Sequence, residues 1–148
     1  MKINKGFTLI ELLIVMAIIA ILISIAIPSF RGMQNEARKT KAQGDTQTIQ
    51  IAIETYYKDY NNQYPAEAAY QTTLIGASPQ ILSGPIYDPF GATSTTTYVY
   101  TLATHDPATS QYYIVYSVGP NGTGTASVSN TGTVTASNGA IWASNGHL

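Results

Sequence analysis

One feature of the sequence constrains the fold more than any other. The run from Phe7 to Ile27 contains twenty-one residues and a single charged side chain, Glu11. At ~1.5 Å per residue, a helix of this length matches the ~30 Å hydrocarbon core of a bilayer. The run is too long for the apolar region of a secretory signal peptide, and no small-x-small cleavage pattern follows it. We therefore expect an N-terminal membrane helix. Lysine and arginine residues flank it on both sides, so charge counting leaves its orientation open.

Glu11 is the unusual residue of this run, because a carboxylate inside a membrane helix costs ~3 kcal/mol on insertion scales and usually has a partner. No basic residue lies inside the run to provide one. If the chain were cut between Gly6 and Phe7, the new amine of Phe7 would lie four residues from Glu11, or it would meet Glu11 of a neighbouring copy. At ~4 Å and an effective dielectric constant of about 20, the attraction is about 4 kcal/mol, which offsets the burial. The alternative is that Glu11 extends from near the helix end to the membrane surface.

The segment KGFTLIELLIVMAIIAILISIAIP, residues 5–28, closely resembles the processing and assembly segment of type IV pilins and type II secretion pseudopilins. The resemblance covers a basic leader that ends in glycine, the sequence Phe-Thr-Leu-Ile-Glu, and an unbroken apolar run up to Pro28. It implies that residues 1–6 are a leader peptide. It also implies that a membrane prepilin peptidase cleaves between Gly6 and Phe7 and that the new amine of Phe7 is methylated.

The same resemblance implies assembly roles for Glu11 and Pro28 and for the apolar part of the helix between Phe7 and Pro28. Glu11 would pair with the amino terminus of a neighbouring subunit, and residues 7–27 would form first a transmembrane segment and then the filament core. One departure is Ala20, where many relatives carry glycine. In filaments the stretch from about this position to Pro28 often loses helicity, and alanine favours the helix more than glycine does.

The helical pattern continues beyond the apolar run. Ile49, Ala52 or Ile53, Tyr56 and Tyr60 recur at three- and four-residue spacing, which predicts an amphipathic helix. Two asparagines followed by a proline, Asn61-Asn62 and Pro65, are a plausible stop signal. We therefore predict one helix over residues 7–61, with a hydrophobic first half and an amphipathic second half. Two glycines, Gly32 and Gly44, weaken it by up to ~1 kcal/mol each.

Residues 62–148 are predicted to form a globular head. Residues 62–96 are rich in Gly, Pro, Ser and Thr, and indicate a long connecting loop with a short helix in it. TYVYTLA from Thr97 and QYYIVYSV from Gln111 have strand composition and are joined by a turn, so they predict an antiparallel pair. The remaining residues offer further short strands, with Asn138-Gly139 as a two-residue hairpin turn. The predicted fold class is α+β, a long helix packed on a small antiparallel sheet formed by strands within 97–148.

The head motifs resemble those of the major pseudopilins of type II secretion, because AIETYYKDYNNQYP, DPFG and YYIVYSVGPNGTG occur in the same order. Several of those proteins bind calcium in the loop after the Ser-x-Gly strand end, which implies Ser117 and Asn121 as metal-site candidates. The aspartates of that loop are depleted here, with Ile114 and Asn121 in their places. Calcium prefers six to eight oxygen ligands that include carboxylates, so a simple tight turn over residues 119–122 is the preferred interpretation. Asn121 also begins a glycosylation sequon, Asn121-Gly122-Thr123.

Composition excludes several functions. No lysine or arginine follows Lys58, so the head lacks the cations that bind a phosphate backbone, and we expect no nucleic-acid partner. The chain has no cysteine, which excludes disulfides and thiolate metal sites. His105 and His147 are isolated, and no triad, phosphate-binding loop or paired acid-base site is recognisable. We predict no catalytic residue, no enzyme activity and no required cofactor.

These observations and the resemblance predict a structural subunit of a type IV pilus-like or type II secretion pseudopilus filament. The expected partners are other copies of the chain, the prepilin peptidase, an inner-membrane assembly platform and, before assembly, the membrane. The expected location is the inner membrane for the precursor, and then a periplasmic or cell-surface filament. The alternative is a monomeric membrane-anchored binding protein whose helix only tethers the head.

Overall fold

The computed structural model describes residues 7–148, so the predicted leader, residues 1–6, lies outside the described residues. The chain divides into two compact units, Met1–Glu36 and Ala37–Leu148. The helices and strands, in chain order, are α1 (Leu9–Asp59), a short 3-10 helix (Glu67–Ala69), α2 (Tyr70–Ile75), β1 (Val99–Leu102), β2 (Tyr113–Ser117), β3 (Thr125–Val128), β4 (Val134–Ser137) and β5 (Ile141–Ser144).

The described part of the first unit is almost entirely helix, and its large apolar side chains are exposed. They include Leu12, Ile19 and Leu22. An 18-residue window of the helix reaches a mean hydropathy of 3.0. By length and composition this part of α1 is therefore a candidate membrane span, in agreement with the sequence.

In the second unit, α1 has one buried face, formed by Ala42, Thr46, Ile49, Ala52 and Ile53. Because these residues recur at three- and four-residue spacing, they form a single stripe along the helix. Tyr56 and Tyr60 continue the stripe as a stacked pair, with ring centroids 4.2 Å apart. The predicted amphipathic second half of the helix is confirmed.

The helix ends where two consecutive asparagines adopt the left-handed backbone conformation. Asn61 and Asn62 have φ values of 54° and 56°, a conformation that asparagine accepts more readily than most residues. The N–H group of Asn62 donates a hydrogen bond of 3.0 Å to the carbonyl oxygen of Tyr57. This bond satisfies a carbonyl that the last turn leaves without a helical partner.

The head contains two antiparallel sheets. β2 is the central strand of a three-stranded sheet in the order β1-β2-β5, with Thr101 opposite Ile114 and Tyr116 opposite Trp142. β3 and β4 form a separate two-stranded sheet. The predicted antiparallel pair, which is β1 with β2, is confirmed, and so is the α+β fold class.

Two apolar clusters lie on the two faces of the three-stranded sheet. One cluster joins the sheet to α1 and includes Ile53, Tyr113 and Val115. The other, made of Ile114, Ala126, Val128 and Val134, lies between the two sheets. Since successive residues of a strand point to opposite faces, the central strand β2 contributes to both clusters, and its apolar residues 113–115 are all buried.

The hairpin predicted at Asn138-Gly139 is wrong, although the turn itself forms. Both residues have positive φ, 53° and 74°, and the N–H of Ala140 donates to the carbonyl of Ser137 at 3.1 Å. The strands on either side are not paired, because β4 pairs with β3 and β5 pairs with β2. The physical reason is that the two strands contribute side chains to different apolar clusters. Val134 of β4 packs between the sheets, whereas Ala143 of β5 packs in the cluster next to α1.

Candidate functional site

The carboxylate of Glu11 caps the N-terminus of α1. Its Oε2 atom accepts hydrogen bonds from the backbone N–H of Thr8 at 2.9 Å and from the Thr8 hydroxyl at 2.7 Å. The N–H of Glu11 lies 3.3 Å from the Thr8 hydroxyl oxygen, which accepts from it. This reciprocal arrangement is a capping box, in which a threonine and a glutamate three residues later satisfy each other's free backbone groups.

The capping box was missed in the sequence, although the spacing Thr8-x-x-Glu11 is its known signature. It gives Glu11 an uncharged partner within its own chain, Thr8. Both bonds end on Oε2. Within residues 7–148 no hydrogen bond reaches Oε1, so this oxygen is free to accept a further partner such as an amine.

The other residues of the processing segment are placed as follows. Phe7 precedes the helix and is 86% exposed, while Gly6 lies outside the described residues. Pro28 lies inside α1. Its ring has no N–H to donate to the carbonyl four residues earlier, that of Ser24, so the helix lacks one backbone hydrogen bond there.

The two calcium-site candidates lie at the end of β2, in different environments. Ser117 is fully buried, and its hydroxyl donates a 2.7 Å hydrogen bond to Oδ1 of Asp88. The other Asp88 oxygen accepts from the N–H of Val118 at 3.1 Å, and Oδ1 also accepts from the N–H of Phe90 at 2.9 Å. Asn121 is exposed in the turn over residues 119–122, where it is also placed for the predicted glycosylation.

The oxygen atoms of these residues are poorly suited to bind a calcium ion. Asp88, the carboxylate nearest to the loop in the hydrogen-bond pattern, already accepts three hydrogen bonds and is buried. Asp106 lies in the connection between β1 and β2, at the opposite end of β2 from Ser117. Among the described residues, no group of three or more His, Cys, Asp or Glu side chains is placed to hold a metal ion. The pattern instead anchors residues 88–90 to the end of β2.

Two tyrosine hydroxyl groups connect the head to carboxylates on α1. Tyr113 donates to Oε1 of Glu54 at 2.8 Å, and Tyr98 donates to Oδ2 of Asp45 at 2.8 Å. Burial raises the pKa of both tyrosines far above the usual value, and the neighbouring carboxylates raise it further. Burial also raises the pKa of Tyr70 to about 12. These hydroxyl groups therefore remain protonated donors and fix the sheet on the helix.

The two histidines form contacts that link separate segments of the head. Nδ1 of His105 lies 2.9 Å from Oε1 of Glu67, and the same oxygen accepts the backbone N–H of Leu102 at 2.5 Å. The backbone of His147 exchanges hydrogen bonds with Gly132 and Val134, both at 2.8 Å, which attaches the C-terminal residues to the sheet of β3 and β4. Both contacts join segments that are distant in sequence, and His105 pairs with the Glu67 carboxylate alone among the described residues.

The arrangement defines a class of protein. A long N-terminal helix has an apolar, exposed first part and an amphipathic second part that carries a small antiparallel β head, which is a pilin-like α+β arrangement. Comparison with known proteins agrees with this class. The family described as "Prokaryotic N-terminal methylation motif" matches residues 1–27. In this segment and in the first half of the chain, the protein is similar to pilins and pseudopilins.

Curated relatives fall into two groups. Type II secretion system core protein G of Escherichia coli (strain K12) is 34% identical over 74 residues, which are 50% of this chain and 50% of that protein. Type IV major fimbrial protein FimA of Dichelobacter nodosus is 44% identical over 78 residues, 52% of this chain and 49% of that protein. Type IV major pilin protein PilA of Myxococcus xanthus (strain DK1622) is 41% identical over 56 residues, which are 38% of this chain and 26% of that protein. The chain thus spans about half or less of these relatives. No solved structure matches it significantly.

Proposed function

We propose that this chain is a structural subunit of a type IV pilus-like or type II secretion pseudopilus filament, and that it assembles through the apolar part of α1. The observation that carries the proposal is the exposure of that surface. The large apolar side chains within residues 9–27 are all exposed. Because a bilayer and a bundle of like helices are both apolar surroundings, the same surface fits the membrane first and neighbouring subunits afterwards.

The proposed pathway begins with a precursor in the inner membrane. The prepilin peptidase removes residues 1–6, and Phe7 becomes the methylated N-terminal residue. Extraction by an inner-membrane assembly platform replaces lipid contacts with van der Waals contacts between helices, and the product is a periplasmic or cell-surface filament. The relatives include both secretion proteins and pilins, so both kinds of filament remain within the proposal.

Glu11 is proposed to have two successive roles. In the single subunit it caps the start of α1 through Oε2. In the filament its free Oε1 accepts the amine of Phe7 from a neighbouring subunit, an attraction of about 4 kcal/mol at ~4 Å. The two roles are separable, because glutamine can serve in a capping box but carries no charge.

The test therefore compares Glu11→Gln with Thr8→Ala. Glu11→Gln keeps a capping side chain and removes the charge, so we expect insertion in the membrane but a severe loss of filaments. Thr8→Ala removes the cap and keeps the charge. It costs about 1 kcal/mol of helix stability and is expected to leave assembly largely intact. The measurements are electron microscopy of sheared filaments and mass spectrometry of the mature N-terminus.

The control is the unmodified chain, which must yield filaments whose subunit begins at methylated Phe7. Filament formation by Glu11→Gln at the unmodified level would remove the charge-pairing role. If the unmodified chain works as a dispersed single molecule that still carries residues 1–6, the alternative of a monomeric tethered binding protein replaces the proposal.

A further inference from the structure

Two surfaces on α1 have matching patterns of apolar and charged residues, one in each unit of the chain. The first surface, which we call the ridge, is an exposed stripe of Ile23, Ile27 and Phe30 that ends at the exposed Arg31. The second surface, the groove, has a volume of about 330 Å³ and lies between α1 and the loop that follows α2. The groove is lined by Thr48, Ile51, Ala52, Thr55 and Asp59 on one side and by Pro79, Gln80, Ile81 and Leu82 on the other.

The groove is apolar although it contains two threonines. The hydroxyl of Thr48 donates to the carbonyl of Gly44 at 2.9 Å, and that of Thr55 donates to the carbonyl of Ile51 at 2.8 Å. Both threonines therefore satisfy their polar hydrogens within the helix. Ile51 is 68% exposed, although buried residues lie two positions away on either side, at Ile49 and Ile53. The Ile51 side chain therefore leaves aliphatic surface exposed to solvent at the groove.

The ridge and the groove have the same spacing and opposite charges. Ile23, Ile27 and Arg31 are separated by four residues each, and so are Ile51, Thr55 and Asp59. Residues with this spacing lie on one face of a helix. Two parallel helices offset by 28 residues therefore place apolar residues opposite apolar residues and the Arg31 guanidinium opposite the Asp59 carboxylate. Among the described residues, neither Arg31 nor Asp59 forms an ion pair within its own chain.

We propose that the groove of one copy binds the ridge of a second copy, with the two helices parallel and Arg31 paired with Asp59. The occupant is a second copy because every copy carries an exposed ridge with the apolar character and the terminal charge that the groove complements. The contact joins two different surfaces, so it is heterologous and builds an open filament rather than a closed dimer. An exposed ion pair contributes little energy, so its role is to select the register. This inference rests on the proposed filament function and adds the specific contact.

Charge reversal tests the register. Arg31→Asp and Asp59→Arg each place like charges opposite one another, and we expect each to lower the yield of sheared filaments by about tenfold. The double variant Arg31→Asp with Asp59→Arg restores the attraction and is expected to recover most of the yield. The matched control is Arg38→Asp, which reverses an exposed cation of α1 outside the ridge and is expected to have a small effect. The proposed pair is wrong if the double variant assembles no better than Asp59→Arg alone.

Disulfide cross-linking tests the contact itself. Because the chain has no native cysteine, only the introduced cysteines can form disulfides. With Ile23→Cys and Ile51→Cys in one chain, oxidation of filaments is expected to give a ladder of linked subunits on a non-reducing gel. In the control, Leu22→Cys with Ile51→Cys, the first cysteine is turned about 100° around the helix, and no ladder is expected. Equal ladders in both pairs, or none in either, would overturn the contact. If the contact is wrong but the proposed function is right, the unmodified chain still forms filaments. If the unmodified chain forms no filament at all, the proposed function is contradicted.

Discussion

The hydroxyl of Tyr113 in β2 donates a 2.8 Å hydrogen bond to the Glu54 carboxylate on α1, across 59 residues of sequence. Tyr113 is fully buried, and its ring lies against that of Tyr64 with centroids 5.1 Å apart. The bond therefore crosses the main core and ties the central strand of the sheet to the helix.

Tyr113→Phe is expected to destabilise the head. The substitution keeps the ring but leaves one oxygen of Glu54 without its donor, and a hydrogen bond to a charged group contributes about 2 kcal/mol. We expect a lower urea midpoint for the full chain in detergent, with an unchanged slope. Tyr87→Phe is the matched control, because Tyr87 is 39% exposed and its change is expected within ~0.5 kcal/mol. Equal effects of the two variants would show that the bond to Glu54 adds nothing.

Alkaline pH is expected to destabilise the fold through the buried tyrosines. Burial raises the pKa of Tyr70 to about 12 and that of Tyr100 further, against the ordinary value of 10.0. Above pH ~10 the unfolded state releases protons that the folded state keeps, so stability falls as pH rises. The contribution is complete below pH ~10, and for Tyr70 it is lost by about pH 12. Urea unfolding at a series of pH values measures the slope.

Tyr70→Phe serves as the control for this pH dependence. It removes one of the titrating groups, so the fall in stability above pH ~10 is expected to become less steep. Ultraviolet absorbance of tyrosinate in the folded protein gives an independent reading. If all eleven tyrosines titrated together near their ordinary pKa without unfolding, the burial argument would be incorrect.

Two glycines with the same backbone conformation are expected to differ in their tolerance of alanine. Gly119 and Gly122 have φ values of 69° and 68°. A Cβ atom on Gly119 would lie 2.2 Å from the carbonyl oxygen of Gly139, whereas one on Gly122 would meet nothing within 4 Å. We expect about 1–2 kcal/mol for Gly122→Ala from backbone strain alone. Gly119→Ala is expected to cost at least ~2 kcal/mol more from the clash. Thermal unfolding of both variants gives the comparison, and equal losses would refute the close approach.

Calcium removal is expected to leave stability unchanged. The hydrogen bonds of Asp88 to Ser117, Val118 and Phe90 already occupy the carboxylate that a metal would need. A ligand that binds only the folded state raises stability by mass action, so melting curves with calcium and with a chelator decide the matter. A clear rise of the melting temperature in calcium would establish the site suggested at Ser117 and Asn121.

Asp88→Asn separates the structural role of this carboxylate from metal binding. Asparagine offers one acceptor oxygen in place of two, so at least one buried donor loses its partner, at about 1–3 kcal/mol. We expect that loss in calcium and in chelator alike. A loss seen only in calcium would instead indicate that Asp88 holds the ion.

Features that depend on neighbouring residues are predictable from the amino-acid sequence. The apolar run of residues 7–27, the stripe that contains Ile49 and Ile53, the stop at Asn61-Asn62 and the pairing of β1 with β2 all follow from local period and turn chemistry. The capping of α1 by Thr8 and Glu11 also follows from local spacing, although the sequence prediction paired Glu11 with a cation only.

The layer that each strand joins depends instead on packing between distant segments. The turn at Asn138-Gly139 forms as its residues dictate, but β4 and β5 separate because Val134 and Ala143 are buried in different clusters. Packing between distant segments also brings Asp88 to Ser117, 29 residues away, and places Ile51 at a groove with Pro79 and Ile81. Periodicity specifies which face of an element is buried, whereas the partner of that face depends on how distant segments pack together, which no local pattern records.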